Sequence, residues 1–107
     1  MTLTHSLDTS AGQITVQATE PAPGLHIYET PASVSPLSPY RWILAHHEGA
    51  ALASFETADA AHTAAKAVAP LADWTRNAMT AANQIGPGGT EHLLRLLRDA
   101  GGQHPNA

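Results

Sequence analysis

The sequence predicts an α+β fold: an antiparallel sheet of three or four strands, a helix packed on one face of the sheet, and two further C-terminal helices. Apolar and polar residues alternate in the first half of the chain, which is typical of half-buried strands. A short turn containing Gly49 joins two such segments into a hairpin. After Thr57 the apolar period changes to that of a helix.

A chain of 107 residues is long enough for one domain. We expect residues 13–102 to form this domain. Residues 1–12 are polar and show no clear period, and residues 103–107 follow a pair of glycines. We therefore expect disordered tails at both ends of the chain.

Four segments have the pattern of strands: residues 13–19, 25–30, 40–45 and 50–55. In the first of them, Ile14 and Val16 are separated by polar residues. In the third, Trp42 and Leu44 share one face because side chains alternate along a strand. The proline-rich residues 31–39 predict an extended loop before this third strand.

Three helices are predicted after the hairpin, over residues 57–69, 74–84 and 91–100. Thr57 can cap the first helix, and Asp59 lies in its first turn, where the helix dipole favours a negative charge. Pro70 ends this helix. Because the chain is poor in aromatic residues, we expect both Trp42 and Trp74 to be largely buried.

The second and third helices are predicted to be separate. Asp73 can cap the second, and Thr90 can cap the third. Between them, Gly86, Pro87, Gly88 and Gly89 predict a break that serves as a linker.

Composition excludes several kinds of site. The chain has no cysteine, so disulfides and thiolate metal sites are ruled out. It has no apolar run of about 18 residues, and its N-terminus lacks the pattern of a secretory signal, so we expect a cytoplasmic protein that does not span a membrane. The net charge is −4 and the first forty residues contain no Lys or Arg, so nucleic acid is an unfavourable partner.

No constellation of residues predicts catalysis, a metal or a cofactor. His46 and His47 are neighbours on a strand and point to opposite faces, whereas zinc needs three or four converging ligands. The glycines before Thr90 lack the lysine of a phosphate-binding loop. Asp59 and His62 share a helix face, but no nucleophile is placed beside them. We therefore expect a non-enzymatic protein without catalytic, cofactor-binding or metal-binding residues.

The last predicted helix carries a candidate partner-binding surface. Leu93, Leu96 and Leu97 form an apolar stripe, with Arg95 beside it. This stripe can pack on its own domain, on another protein or on a second copy of the chain. A homodimer is therefore one expected outcome.

A longer pattern resembles a group of small uncharacterised actinobacterial proteins. It consists of Trp42, His46, Gly49 and Phe55, followed by an alanine-rich helix and residues 71–75. Those proteins look like cargo of plasmids, phages or integrative elements. The resemblance covers residues 40–76 and is carried by structural motifs, so it implies an accessory protein of a mobile element and no site residues.

The order of hairpin and helix is also similar to that in the arm-type DNA-binding domain of tyrosine integrases. In those domains the face of a three-stranded sheet enters the major groove, and the strands carry several Arg and Lys. On the strands predicted here only Arg41 is basic. This resemblance therefore implies a related fold more than a related function.

Two functions follow from these observations. The first is a non-enzymatic accessory or interaction protein, which binds a protein partner or itself through the C-terminal helix or a sheet edge. The alternative is a nucleic-acid-binding protein that uses the sheet face, and its affinity would fall steeply with salt. A metal-dependent enzyme that uses the histidines is a third class, which the metal content of the purified protein would distinguish.

Overall fold

The computed structural model describes residues 2–9, 12–30, 40–48 and 51–102. These residues form an α+β fold in which an antiparallel sheet of five strands is followed by helices. The strands lie side by side in chain order, as β1 (Thr2–Thr9), β2 (Gly12–Ala22), β3 (Leu25–Glu29), β4 (Trp42–His46) and β5 (Ala51–Phe55). The helical elements are α1 (Ala58–Val68), a 3₁₀ turn (Ala69–Leu71) and α2 (Ala78–Asp99).

The N-terminal segment is a strand. Within the expected disordered tail, residues 2–9 and 12 are instead in strands, because β1 pairs with β2 from Thr2 opposite Thr19 to Thr9 opposite Gly12. The expected three or four strands therefore become five. Three further predictions fall outside the described residues: the loop over 31–39, the turn at Gly49 and the tail over 103–107.

The main core joins the sheet to the helices. Ile27, Leu44 and Ala53 are cross-strand neighbours on β3, β4 and β5, so they share one face of the sheet. Around them the core contains strand residues Leu25 and Phe55, α1 residues Ala61, Ala64, Ala65 and Val68, and the later residues Trp74, Ala81, Leu93 and Leu97. Because α1 contributes mainly alanines, it can approach the sheet closely but buries little apolar area of its own.

The opposite side of the sheet, which we call the second face, carries a smaller buried cluster. Tyr28 pairs with Ala18 on β2 and with Ile43 on β4. These three residues and Ala45 are buried, and Val16 packs against them. The sheet is therefore covered on both sides at its centre.

The turn between β2 and β3 packs closely against the segment that precedes α2. Gly24, in the turn between β2 and β3, has φ of 85°, and a Cβ atom placed there would lie 2.1 Å from the carbonyl oxygen of Trp74. Glycine is required at this position both by the backbone angle and by this contact. The backbone N–H of His47 donates to the carbonyl of Gly24 at 2.9 Å.

Helix α1 begins and ends as the sequence predicts. The Thr57 side chain accepts a hydrogen bond from the N–H of Ala60 at 3.1 Å, and Asp59 lies in the first turn. The chain then tightens into the 3₁₀ turn that contains Pro70. No helix in the described part of the chain is long and apolar enough to cross a membrane.

Helix α2 consists of two helical segments that meet at a kink, so the predicted break between two helices is found, but it is shorter than the predicted linker. Gly86, with φ of 70° and ψ of 172°, is its non-helical residue, and helical geometry resumes directly after it. The N-cap is Asn77 and not Asp73, because the Asn77 side chain accepts from the N–H of Thr80 at 2.8 Å. Thr90 lies inside the helix, where its hydroxyl donates to the carbonyl of Gly86 at 2.9 Å.

Candidate functional site

The predicted partner-binding residues lie at different depths. Leu93 and Leu97 are 9% and 3% exposed and belong to the main core. Leu96 is partly buried against that core, and Arg95 is exposed. The stripe therefore packs on its own domain, and Leu94, which is 47% exposed, is the large apolar residue that this helix segment presents to solvent.

A different apolar surface lies where the two halves of α2 meet. A cavity of about 340 Å³, which we call the α2 groove, is enclosed by both halves of the helix and by the ends of β4 and β5. Its lining residues are His46, Leu52, Trp74, Ala78, Ala81, Ala82, Ile85, Thr90 and Leu93. The groove is open to solvent on one side, because Ala82 is exposed and Ile85 is partly exposed.

Small side chains and the bend at Gly86 create this groove. Residues 78, 81, 82 and 85 recur at helical spacing and form one stripe on the first half of α2. Three of the four are alanines, which leave space that longer side chains would fill. The bend at Gly86 then places Thr90 and Leu93 as a second wall of the groove.

The polar atoms in the lining are already engaged inside the protein. The N–H of Glu48 donates to Nδ1 of His46 at 3.0 Å, so the ring proton lies on Nε2, which donates to the carbonyl of Arg76 at 2.7 Å. The indole N–H of Trp74 donates to the carbonyl of Val68 at 3.0 Å. The Thr90 hydroxyl likewise donates to the carbonyl of Gly86. The α2 groove therefore presents mainly carbon surface and can bind apolar groups.

The turn after β4 holds the start of α2 in place. His47 Nε2 lies 3.2 Å and 3.1 Å from the carbonyl oxygens of Thr75 and Arg76, and its ring packs on that of His46 with centroids 4.2 Å apart. The Glu48 carboxylate accepts from the N–H of Ala78 at 2.7 Å, at the helix N-terminus, where negative charge is favourable. The adjacent histidines noted in the sequence therefore position one wall of the groove.

A second histidine contact lies on the second face. Nδ1 of His5 is 2.9 Å from Nδ1 of His26, and the His5 ring stacks on Tyr28 with centroids 4.9 Å apart. His5 is only 2% exposed, and its Nε2 has no hydrogen-bond partner in the described part of the chain. Because β2 separates β1 from β3 in the sheet, this histidine pair, His5 and His26, ties together two strands that do not pair directly.

The neighbours of the histidine pair determine where its protons lie. Nε2 of His26 is 3.7 Å from the Glu20 carboxylate, so a proton is best placed on that nitrogen. In the neutral pair, Nδ1 of His26 then accepts and Nδ1 of His5 donates.

Burial is the main influence on the acidity of both rings. Burial lowers the pKa of His5, and the charge of a protonated His26 lowers it further. Burial also lowers the pKa of His26, against the opposing effect of the Glu20 carboxylate, while His47 and His46 lower it further. Both rings therefore favour the neutral form in the folded protein.

The histidines do not converge on a common point. Glu20, His26 and His47 line one open cleft, but the rings of His26 and His47 are 6.4 Å apart. In the part of the chain that the structure describes, no three His, Asp or Glu residues are grouped to hold a metal ion.

Sequence reasoning missed both the groove and the histidine pair. The alanine spacing along α2 was a visible signal for the groove, but the wall formed by Thr90 and Leu93 depends on the bend at Gly86. His5 fell in the expected tail, although Leu3, His5 and Leu7 alternate with hydroxyl residues as a strand would. No sequence signal brings His5 and His26 together, since 21 residues separate them.

Comparison with known proteins returns no matching family model, no similar curated protein and no similar solved structure.

Proposed function

We propose that the protein is a non-enzymatic interaction protein that binds a segment of another polypeptide in the α2 groove. The observation that carries this proposal is an open apolar groove in which His46 and Trp74 already use their polar atoms internally. A site of this kind recognises an apolar side chain and gains little from a charged or strongly polar ligand. Helix α2 supplies most of the walls of the groove. The resemblance over residues 40–76 supports an accessory role of this kind.

The size of the groove indicates its occupant. A volume of about 340 Å³ lies at the lower end of the range for small-molecule pockets, roughly 300–1,000 Å³. It is suited to one or two large apolar side chains, such as Leu, Met or Phe, presented by a partner. Met79 on the same helix is 76% exposed and can add adaptable contact beside the groove.

The expected affinity for a short peptide is modest. Burying one large apolar side chain contributes about 1.5–3 kcal/mol. Association also costs translational freedom and side-chain ordering. We therefore expect a dissociation constant of about 1 mM or weaker for a short peptide with a single anchor residue, and tighter binding requires further contacts beside the groove.

Nucleic-acid binding through the sheet face has no comparable support. The centre of the second face is occupied by the buried residues Tyr28 and Ile43. Arg41, beside β4, lies 3.8 Å from the Glu29 carboxylate and donates to the carbonyl of Thr30. Phosphate recognition needs several cations on one face, and the described strands do not present such a set.

A peptide-display selection against the folded protein tests the proposal. We expect selected peptides to share one large apolar anchor and to bind the wild-type protein. Ala82→Trp fills the groove and should weaken that binding at least tenfold, equivalent to about 1.4 kcal/mol. Asn83→Trp is the matched control, because Asn83 is the next residue of the same helix, is exposed and does not line the groove. This control introduces the same side chain and should bind as the wild type does.

The same variants separate the competing outcomes. Peptides that bind Ala82→Trp and wild-type protein equally would show that the groove is not the site. Binding of a small apolar dye that Ala82→Trp blocks, without any peptide being enriched, would indicate a small-molecule site instead. Light scattering across a concentration series would reveal whether a second copy of the chain is the occupant, since Ala82→Trp would then reduce the mass.

A further inference from the structure

The histidine pair joins β1 to the second face by side-chain contacts that depend on protonation. Among the strands that the structure describes, β1 pairs with β2 alone. Beyond β2, His5 reaches β3 through its hydrogen bond with His26 and its stacking on Tyr28. The small side chain of Ala18, which pairs with Tyr28, leaves room for the His5 ring to pass over β2.

The charged and titratable groups around this pair come from several elements. β2 contributes Glu20, and β3 contributes Tyr28. The end of β4 contributes His46 and His47, whose charges act on His26. Farther along that edge, Glu48 lies 3.9 Å from His46, and Arg76 pairs with Asp73 at 3.5 Å. Glu20 is the single carboxylate in this set that lies within 4 Å of the pair.

Either ring loses its favourable arrangement when it gains a second proton. If His26 is protonated, both of its nitrogens carry hydrogen, so its Nδ1 can no longer accept from His5. If His5 is protonated instead, the new proton lies on Nε2, which is buried and has no acceptor in the described part of the chain. A second charge on the pair would add repulsion at a ring separation of 5.1 Å.

We propose that the histidine pair is an acid-operated latch: below about pH 6.5 the loss of its contact with β3 loosens β1 from the sheet and uncovers Tyr28, while the main core stays folded. The pKa values of both rings lie below the ordinary value in the folded protein, so protonation is coupled to release. The main core is on the other face of the sheet and contains neither ring. This inference is independent of the function proposed for the α2 groove.

Amide hydrogen exchange on the full chain tests the latch. After correction for the intrinsic effect of pH, we expect β1 amides to exchange about tenfold faster at about pH 5 than at about pH 7.5. The exchange rates of the β4 and α1 amides should change much less over the same pH range. An unchanged β1 exchange rate across this range would overturn the proposal.

Two variants assign the effect to the pair. His5→Phe keeps a ring that can stack on Tyr28 but removes the titrating hydrogen bond, so its β1 exchange should depend on pH much less than that of the wild type. His92→Phe changes an exposed histidine on α2 and should keep the wild-type response. A full acid response in His5→Phe would contradict the latch.

Histidine NMR signals of the wild-type protein test the latch even if His5→Phe does not fold. We expect the rings of His5 and His26 to titrate together with the loss of β1 amide protection. Titration of the two rings without any change in β1 would show that the strand does not depend on them, and it would eliminate the proposal.

Discussion

Trp74 connects three parts of the molecule through a single side chain. It is 5% exposed, it belongs to the main core, and it lines the α2 groove. Its indole N–H donates to the carbonyl of Val68, the last residue of α1. Its backbone carbonyl lies against Gly24 at the corner of the sheet. Replacing Trp74 therefore affects both the core and the groove.

The two tryptophans should differ in their contribution to stability. We expect Trp74→Ala to lower the free energy of unfolding by about 3–5 kcal/mol, as for other large aromatic truncations. Trp42 is only partly buried, so Trp42→Ala should cost roughly half as much. Urea unfolding followed by circular dichroism measures both, and equal losses would contradict this account of their burial.

At the level of single residues, sequence reasoning was strongest where the environment follows from local pattern. The burial of Trp74 and the cap at Thr57 were both predicted and are found. Trp42 was expected to be largely buried, and it lies instead at the margin of the core. The bonds that engage His46 could not be predicted, because their partners Arg76 and Glu48 are brought there by the tertiary fold.

At the scale of elements, the break within α2 was predictable from glycine and proline, but its extent was not. Residues 86–89 predicted a linker, but the bend is confined to Gly86. Pro87 follows directly, where a proline is compatible with the first turn of a helical segment because its missing N–H would have no helical partner there. Gly88 has space for a side chain, since a Cβ atom would meet nothing within 4 Å. The backbone therefore requires glycine at position 86 but not at position 88.

Alanine substitutions should separate these two glycines. Gly88→Ala should stabilise the protein by about 0.5–1 kcal/mol, because alanine loses less backbone entropy in a helix. Gly86→Ala should destabilise it by about 1–3 kcal/mol, because its backbone angles are accessible almost only to glycine. Thermal unfolding of both variants provides the measurement. Stabilisation by Gly86→Ala would mean that the bend is not required by the fold.

For the whole molecule, the class of fold was predictable, but the site was not. Strand and helix periods gave the α+β order and the hairpin of β4 and β5, because these features are local. β1 was missed because its alternating positions Leu3, His5 and Leu7 have a polar histidine at the centre, which weakens the apolar pattern. The groove and the histidine pair combine residues from separate elements. The spacing of residues along the chain does not tell how close such elements lie in the folded protein. The partner-binding role predicted for the leucine stripe stays a prediction, with Leu93 and Leu97 now placed in the core.

The pH dependence of global stability follows from four buried or hydrogen-bonded groups, which act in three separate pH ranges. His5 and His26 have folded pKa values below 6.5, so the unfolded chain binds more protons as the pH falls below about 6.5. Stability should therefore decrease on acidification from that point towards the folded values, and it should be unaffected by these rings above it. Burial raises the pKa of Tyr28 above 10.0, so stability should also decrease above about pH 10, where the unfolded chain loses its proton first.

Urea unfolding at closely spaced pH values measures this dependence. Hydrogen bonds from Thr75 lower the pKa of Asp73 below 3.8, so its contribution is lost only below about pH 4 and does not overlap the histidine range. His5→Phe should reduce the slope between about pH 5 and pH 6.5 but leave part of it, because His26 still titrates. His92→Phe should leave the slope unchanged. A wild-type stability that is constant between about pH 5 and pH 7.5 would mean that the two buried rings are protonated as easily in the folded protein as in the unfolded chain.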